Sequence, residues 1–571
     1  LSPFFLPEHI RTVSPFTDVQ VVIMNDVSIL VGGRAGDGIN SAGLIVAHLL
    51  NHTGYRVYMY FDYPSLIKGG HNFALVRGSG SPVGAHRNRA DFILALNQDS
   101  IDLHGDLIGD ETTILFDSGR VDTDGIPVPV SEILKELDAP AVMGNSCIIG
   151  AFARSAGIEW AVLESVFRQK IPKGLEKNLQ VARRGYDAAH VTQKIEPIGQ
   201  ETFPILTGNE AIGIGLLHGG LDAFVAYPMT PTSNILHFLA ESAVDLPLDV
   251  VHPENEIAVF LMALGFAYAG RKAAVCTSGG GFCLMTEGFS LAGMAELPIV
   301  VVMGQRTGPS TGVPTYTAQT DLHFMIHAGH GEFPRLVVAP GDAAQAFTWS
   351  SLALSMAWKY QVPAIILADK TLCEGSYSFE QRAPPDIGEA DSRTDPGEYR
   401  RYALTGNGIS PMLHPPGPGA VIKVNGYAHD EAGITTEDAD TIRIMTDKRK
   451  QKAASLKAAV EDLGSVIVRG KADASTAILC WGSNLSVCTE VADSLGLRLI
   501  QPVVLWPFPI ETFQKALSGV ERLVLVEDSA YGQLSILISG YGFSTDDLVL
   551  RYDGRPNSVE ELVARIQEVL A

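Results

Sequence analysis

The sequence has no CxxC pair and no cysteine cluster. Its six cysteines, Cys147, Cys276, Cys283, Cys373, Cys480 and Cys488, are scattered through apolar segments. An iron–sulfur cluster needs grouped thiolates, so none is expected in this chain, and the cysteines read as buried free thiols of a reducing compartment. Long apolar runs are missing too. The longest uncharged one, Ile257 to Gly270, falls short of the about 20 residues that cross a bilayer and reads as a buried helix. No signal peptide is expected at the start, and a cytoplasmic location follows as the expectation. Positive charge is scarce: 42 Lys and Arg stand against 64 Asp and Glu, a formal charge of -22. Nucleic acid and anionic membrane are therefore not expected as partners. Any anion site must be built locally, from helix N-termini and a few Arg or Lys.

At 571 residues the chain is too long for one ordinary core. Buried-strand patterns alternate with helices, which implies an α/β fold with mostly parallel sheets. Three α/β domains are expected, over 22–195, 200–385 and 451–571, with a linker or loop-dominated cap over 386–450. The first opens with the strand Val27–Val31, a Gly-rich turn Gly32–Gly38 and a helix to Asn51. The second holds strands at Ala223–Tyr227, Ala273–Ser278 and Ile299–Met303 and ends on VPAIILAD. Thr446–Leu463 reads as a helix whose charge run Asp447–Lys452 is most simply a solvated face. In the third, the buried strands are TAILCWG, RLIQPVVLW and RLVLVED.

In open α/β sheets, ligands bind at the C-terminal edge of the strands, and the informative loops lie there. Gly32–Gly38 (GGRAGDG) has the form of a phosphate cradle but lacks the middle glycine of GxGxxG. A nucleotide- or coenzyme A-facing loop, a tight turn and, least of all, a GDG metal site remain open for it. Tyr63–His71 (YPSLIKGGH) carries Ser65 and Lys68; the lysine either reaches an anion or is a surface residue. Tyr227–Ser233 (YPMTPTS) presents Tyr227, Pro228 and Thr230 before a helix, a place for a carboxylate. Glu256 opens an almost wholly apolar helix; it either complements the helix dipole or, buried, shares a proton with a ligand nitrogen. Ser278–Phe282 (SGGGF) includes Gly280. In Gly304–Gly312 (GQRTGPSTG), Arg306 offers a bidentate fork to a carboxylate or forms a structural salt bridge.

Together YPMTPTS, ENEIAVFLMALGFAYAG, SGGGFCLM, GQRTGPSTGVPT, NGYAHDEAG, LWPFP and VEDSAYGQL resemble the 2-oxoacid:ferredoxin oxidoreductases. The resemblance runs over nearly the whole chain after residue 25. It is strongest to the α subunit of the two-subunit, 2-oxoglutarate type, with a γ-type domain fused ahead of it. It implies a γ-type domain, a pyrimidine-binding domain of the thiamine diphosphate fold, and a transketolase C-terminal-like domain. Glu256 would then bond the aminopyrimidine and promote its imino tautomer. Tyr227, Thr230 and Arg306 would bind the 2-oxoacid, with Pro228 and Gly280 lining the cofactor. Ser65 and Lys68 would contact coenzyme A or a distal carboxylate. This chain itself is expected to bind no metal. Mg²⁺ and a [4Fe–4S] cluster would belong to a β subunit, ferredoxin would take the electrons, and the assembly would be an (αβ)₂ heterotetramer. The implied reaction is coenzyme A-dependent oxidative decarboxylation of 2-oxoglutarate to succinyl-CoA, reversible toward CO₂ fixation.

Three rivals stay open. Pyruvate or a branched 2-oxoacid fits the same chemistry. A non-catalytic nucleotide-binding subunit would tolerate Glu256→Gln. An NAD-dependent dehydrogenase would need an acidic residue ending the second strand; Asp62 comes nearest and is expected to lie in a loop.

Overall fold

The computed structural model describes residues 26–64, 70–199, 201–381, 383–388, 399–416 and 421–571. Its strands are short, apolar and mostly buried, and they group into three sheets, each the centre of an α/β unit.

The first sheet takes β1 (Asp26–Arg34), β2 (Arg56–Asp62), β3 (His71–Ser79), β4 (Phe92–Ala95), β5 (Thr113–Asp117), β6 (Ile126–Val128) and β7 (Ile205–Thr207). The second takes β8 (Ala223–Ala226), β9 (Asp249–Val251), β10 (Ala273–Ser278), β11 (Ile299–Gln305), β12 (Leu336–Val338) and β13 (Pro363–Asp369). The next strand, β14 (Ser376–Ser378), returns to the first sheet and pairs antiparallel with both β2 and β7. The third sheet holds β15 (Val466–Gly470), β16 (Thr476–Leu479), β17 (Arg498–Pro502), β19 (Arg522–Glu527) and β20 (Asp547–Leu550). Between them in sequence, β18 (Val504–Trp506) crosses back to pair with β12 of the second sheet. The units are thus laced together by strand exchange as well as by packing.

The first sheet is mixed rather than mostly parallel. Its order is β6-β5-β4-β1-β3-β2-β14-β7, and β3 runs antiparallel between β1 and β2. The segment RLIQPVVLW is two strands in two sheets, not one. The second sheet, β18-β12-β13-β11-β10-β8-β9, is parallel throughout except at β18. Both faces of such a sheet are covered, so β10, β11 and β13 are buried along their whole length.

The described residues between 379 and 438 form neither helix nor strand. The helix that follows, Ala439–Asp462, is started by Asp438, whose side chain accepts from Thr441 N at 2.9 Å. It runs through the division expected at residue 450. Its charge run is not a solvated face. Lys448 and Lys452 are buried and both meet the carboxylate of buried Glu296, Lys448 Nζ at 2.9 and 2.8 Å from its two oxygens. Arg401 Nη2 donates to the Glu296 carbonyl at 2.7 Å. Burial alone would push the Glu296 carboxyl up; Lys452, then Lys448 and Arg401, outweigh it and hold it well below the usual carboxylate range. This cluster fastens the irregular segment and the long helix to the second unit.

Candidate functional site

Parallel neighbours β8, β10 and β11 end side by side, with Ser278 of β10 opposite Gly304 of β11. Their buried apolar bodies leave polar chemistry to the loops at their C-terminal ends. Tyr227–Thr232, the helix Gly279–Ala295 and the loop after Gln305 all begin at this edge.

Gly304 lets the first and third of these loops touch. A Cβ there would stand 2.7 Å from Thr232 Cγ2 and 2.8 Å from Pro231 Cδ. Across this contact Arg306 Nη1 donates to the Thr230 carbonyl at 3.0 Å, which steadies the guanidinium and leaves its other N–H groups for a ligand. Asp321 lies near by: burial pushes its carboxyl up to about 6, with the Arg306 charge opposing. Its backbone N–H donates to Gln305 Oε1 at 3.2 Å.

Glu256 begins the helix Glu256–Tyr268 directly after its cap, Asn255, whose Oδ1 accepts from Ala258 N at 3.0 Å. Glu256 is 5 % exposed, and no described residue donates a hydrogen bond to its carboxylate. It fits beside the next helix because residue 281 is glycine: a Cβ there would come within 2.7 Å of Glu256 Oε1. A Cβ on neighbouring Gly280 would meet nothing within 4 Å, so that backbone borders open space. Among the described residues, Ser278 Oγ, Gln305 Nε2, Thr315 Oγ1 and Thr317 Oγ1 are buried without a partner. Orphaned polar atoms grouped at one sheet edge mark where a ligand's polar groups would go.

Tyr227, Pro228, Thr230, Glu256, Gly280 and Arg306 therefore share one edge of the second sheet. Ser65 and Lys68 lie outside the described residues. Ser278 and Gly281 fall inside the SGGGF loop and Gln305 inside GQRTGPSTG, without a role of their own in the sequence, and Asp321 falls in neither motif. The helix that Glu256 opens is not wholly buried as expected: Ile257, Leu261 and Met262 are exposed, as is Leu284 of the next helix. Cys283 is exposed too, while the other five cysteines are buried and all six are free. Among the described residues no three His, Cys, Asp or Glu group as metal ligands, and no helix is long and apolar enough to cross a membrane.

The first Gly-rich loop differs from a dinucleotide cradle. Gly32 and Gly33 belong to β1, where a Cβ on Gly32 would stand 2.4 Å from Ser100 Oγ. Gly36 and Gly38 adopt positive φ, and Asp37 Oδ2 accepts from Arg34 N at 3.0 Å, closing a tight turn. Asp62 does end β2, contrary to expectation, but it accepts from the Tyr60 hydroxyl at 2.6 Å and faces Arg555 at 3.8 Å. With β3 inserted between β1 and β2, the dehydrogenase topology is absent from this sheet.

A 2-oxoglutarate:ferredoxin oxidoreductase from Magnetococcus marinus, solved with 2-oxoglutarate, coenzyme A and succinyl-CoA bound, matches this structure with a TM-score of 0.88. The identity is 30 % over 96 % of this chain and 100 % of that one. This chain belongs to the 2-oxoacid:ferredoxin oxidoreductase family. Residues 214–448 match the family described as "Pyruvate flavodoxin/ferredoxin oxidoreductase, thiamine diP-bdg", and residues 28–188 match "Pyruvate ferredoxin/flavodoxin oxidoreductase". The 2-oxoacid:ferredoxin oxidoreductase 2 subunit alpha of Aeropyrum pernix is 28 % identical over 96 % of this chain and 98 % of its own length. The 2-oxoglutarate synthase subunit KorA of Methanocaldococcus jannaschii is 28 % identical over 62 % of this chain and 97 % of its own. The chain is thus the α subunit of a 2-oxoacid:ferredoxin oxidoreductase and carries a thiamine diphosphate-binding domain.

The chemistry of this edge is compatible with a flat, nitrogen-bearing ring of that cofactor. A buried, unpartnered carboxylate in a glycine-made space suits a ring nitrogen, and the open edge at Gly280 suits close approach of a flat ring.

Proposed function

We propose that this α subunit acts with a β subunit in the coenzyme A-dependent oxidative decarboxylation of 2-oxoglutarate. The products are succinyl-CoA and CO₂, and the two electrons pass to ferredoxin. The observation that carries the reading is the Glu256 carboxylate, buried, unpartnered among the described residues and seated against Gly281. The 2-oxoglutarate assignment is supported by the Magnetococcus marinus enzyme's ligands and by the KorA relatives.

Thiamine diphosphate, held on the Glu256 and Gly280 side of this edge, would supply the carbon nucleophile and the electron sink that decarboxylation of a 2-oxoacid needs. Glu256 holds and moves a proton at the pyrimidine ring nitrogen. Arg306 receives the 2-oxoacid carboxylate in a two-point fork, kept in place by its bond to the Thr230 carbonyl. Thr230 adds its hydroxyl, and Tyr227 and Pro228 wall the approach. Gly280 gives the ring a backbone surface without a side chain in the way.

The exposed apolar face of Ile257, Leu261, Met262 and Leu284 adjoins Glu256. We read it as the face on which the β subunit docks, bringing the grip on the diphosphate, Mg²⁺ and the [4Fe–4S] cluster, in an (αβ)₂ assembly. The test is release of CO₂ from the C1 carbon of 2-oxoglutarate by the co-purified complex, dependent on coenzyme A and oxidised ferredoxin. Release from pyruvate alone would overturn the substrate; release from neither, with thiamine diphosphate bound, would overturn the chemistry.

A further inference from the structure

The three units of the chain meet at one point beside the site, and each contributes a side chain. Asp62 comes from the end of β2, Tyr316 from the loop that carries Arg306, and Arg555 from the turn between β20 and the final helix. The Arg555 guanidinium lies 3.7 Å from the centroid of the Tyr316 ring. Its Nε stands 3.8 Å from Asp62 Oδ2, past hydrogen-bond distance.

The turn that bears Arg555 is bound to the Arg306 loop. Thr317 N donates to the Gly554 carbonyl at 3.2 Å. A Cβ on Gly554 would sit 3.0 Å from Tyr316 Cβ and 3.1 Å from Thr307 Oγ1. Thr307, the residue next to Arg306, pairs back onto this strand of the loop: its N–H donates to the Tyr316 carbonyl at 3.0 Å and its hydroxyl to the Thr317 carbonyl at 2.9 Å. Arg555 therefore rests on the same small, internally bonded loop that carries Arg306. Thr315 and Thr317, in the same loop, carry buried hydroxyls with no partner among the described residues.

A structural staple would bury its guanidinium in a close two-point contact with the carboxylate, as Arg77 does with Asp26 at 2.9 and 2.6 Å. Arg555 does not. Its side chain is 43 % exposed while Asp62 is 5 % exposed, and Asp62 already accepts from Tyr60 at 2.6 Å. The aromatic ring carries the guanidinium at 3.7 Å from its centroid, and the side chain stays 43 % exposed. In a chain with a formal charge of -22, a half-exposed arginine that rests on the Arg306 loop and meets Asp62 only at 3.8 Å keeps capacity to bind a further anion.

We infer that Arg555, oriented by Tyr316 and Asp62, is the second cationic contact of the site and binds an anionic group lying beyond the 2-oxo carboxylate. That group is either the distal carboxylate of a dicarboxylic 2-oxoacid or a phosphate of coenzyme A. The inference rests on the function proposed above.

The test is calorimetric titration of 2-oxoglutarate, 2-oxobutyrate and coenzyme A into the complex, wild type against Arg555→Gln, with steady-state KM values for the same three. Loss of about tenfold or more in affinity for 2-oxoglutarate, with 2-oxobutyrate unchanged, assigns the distal carboxylate. The same loss for coenzyme A, with both 2-oxoacids unchanged, assigns a phosphate. Arg555→Lys, which keeps the charge but not the fork, is expected to recover part of either loss. An Arg555→Gln complex that binds all three as wild type does, or loses all three equally, overturns the inference and leaves the proposed function standing. A wild-type complex that binds neither 2-oxoglutarate nor coenzyme A overturns both.

Discussion

Glu256 and Gly281 occupy what is nearly one space. A Cβ on Gly281 would lie 2.7 Å from Glu256 Oε1 and 2.1 Å from Thr277 Oγ1, both closer than such atoms approach. The glycine is therefore part of how the carboxylate is aimed.

Gly281→Ala is expected to push both the Glu256 carboxylate and the Thr277 hydroxyl off their positions. A displacement of this kind costs about a hundredfold in kcat. Gly280→Ala meets no protein atom within 4 Å, so its melting temperature should match wild type while thiamine diphosphate binds more weakly. Kinetics and melts on the pair of variants check this; a Gly281→Ala complex with wild-type kcat would refute the aiming role.

Arg306→Lys keeps a positive charge and loses the planar fork. The expected result is a fall in kcat/KM for the 2-oxoacid of about tenfold or more, carried mainly by KM, with coenzyme A affinity unaffected. Steady-state titration of each substrate separates the two.

Glu296 is the carboxylate shared by buried Lys448 and Lys452, with Arg401 on its carbonyl. Glu296→Gln leaves these cations buried without their counter-charge, at a cost of about 3–5 kcal/mol. Denaturant melts should show it, and the irregular residues 399–416 and 421–438 should become the first place a protease cuts.

Asp528 lies in a buried polar seam between the second and third units, accepting from Asn557 Nδ2 at 3.2 Å. Burial, then the charge of Asp369, pushes its carboxyl up to about 7. Below the ordinary value of 3.8 both folded and unfolded forms hold the proton, and the shift costs nothing. Between there and about 7 only the folded form holds it, so stability falls as pH rises; above about 7 the full cost is present. Asp528→Asn removes that cost. Its melting temperature should exceed wild type, by more at pH 8 than at pH 5.

The second sheet was legible because parallel strands covered on both faces read as unbroken apolar runs, as in Ile299–Met303. Strand β3 was missed because its first residue ends a glycine turn that drew attention as a ligand loop. The three-residue strands β14 and β18 were beyond reach: each pairs with a sheet built from distant sequence, and their length leaves no period to read. Lys448 and Lys452 show the same limit from the other side, since a charge run looks solvated until the buried acid that meets it is placed. At the site, Glu256, Thr230 and Arg306 could be named from motif and helix start. The contact of Glu256 with Gly281, and the orphaned Ser278 Oγ and Gln305 Nε2 atoms, arise from how two helices and two strands pack.

The most direct measurement is coenzyme A-dependent reduction of a low-potential dye by the co-purified complex with 2-oxoglutarate, wild type against Glu256→Gln. The account predicts a loss of about a hundredfold or more in kcat, with the fold and bound thiamine diphosphate retained. A Glu256→Gln complex that turns over at the wild-type rate would contradict it.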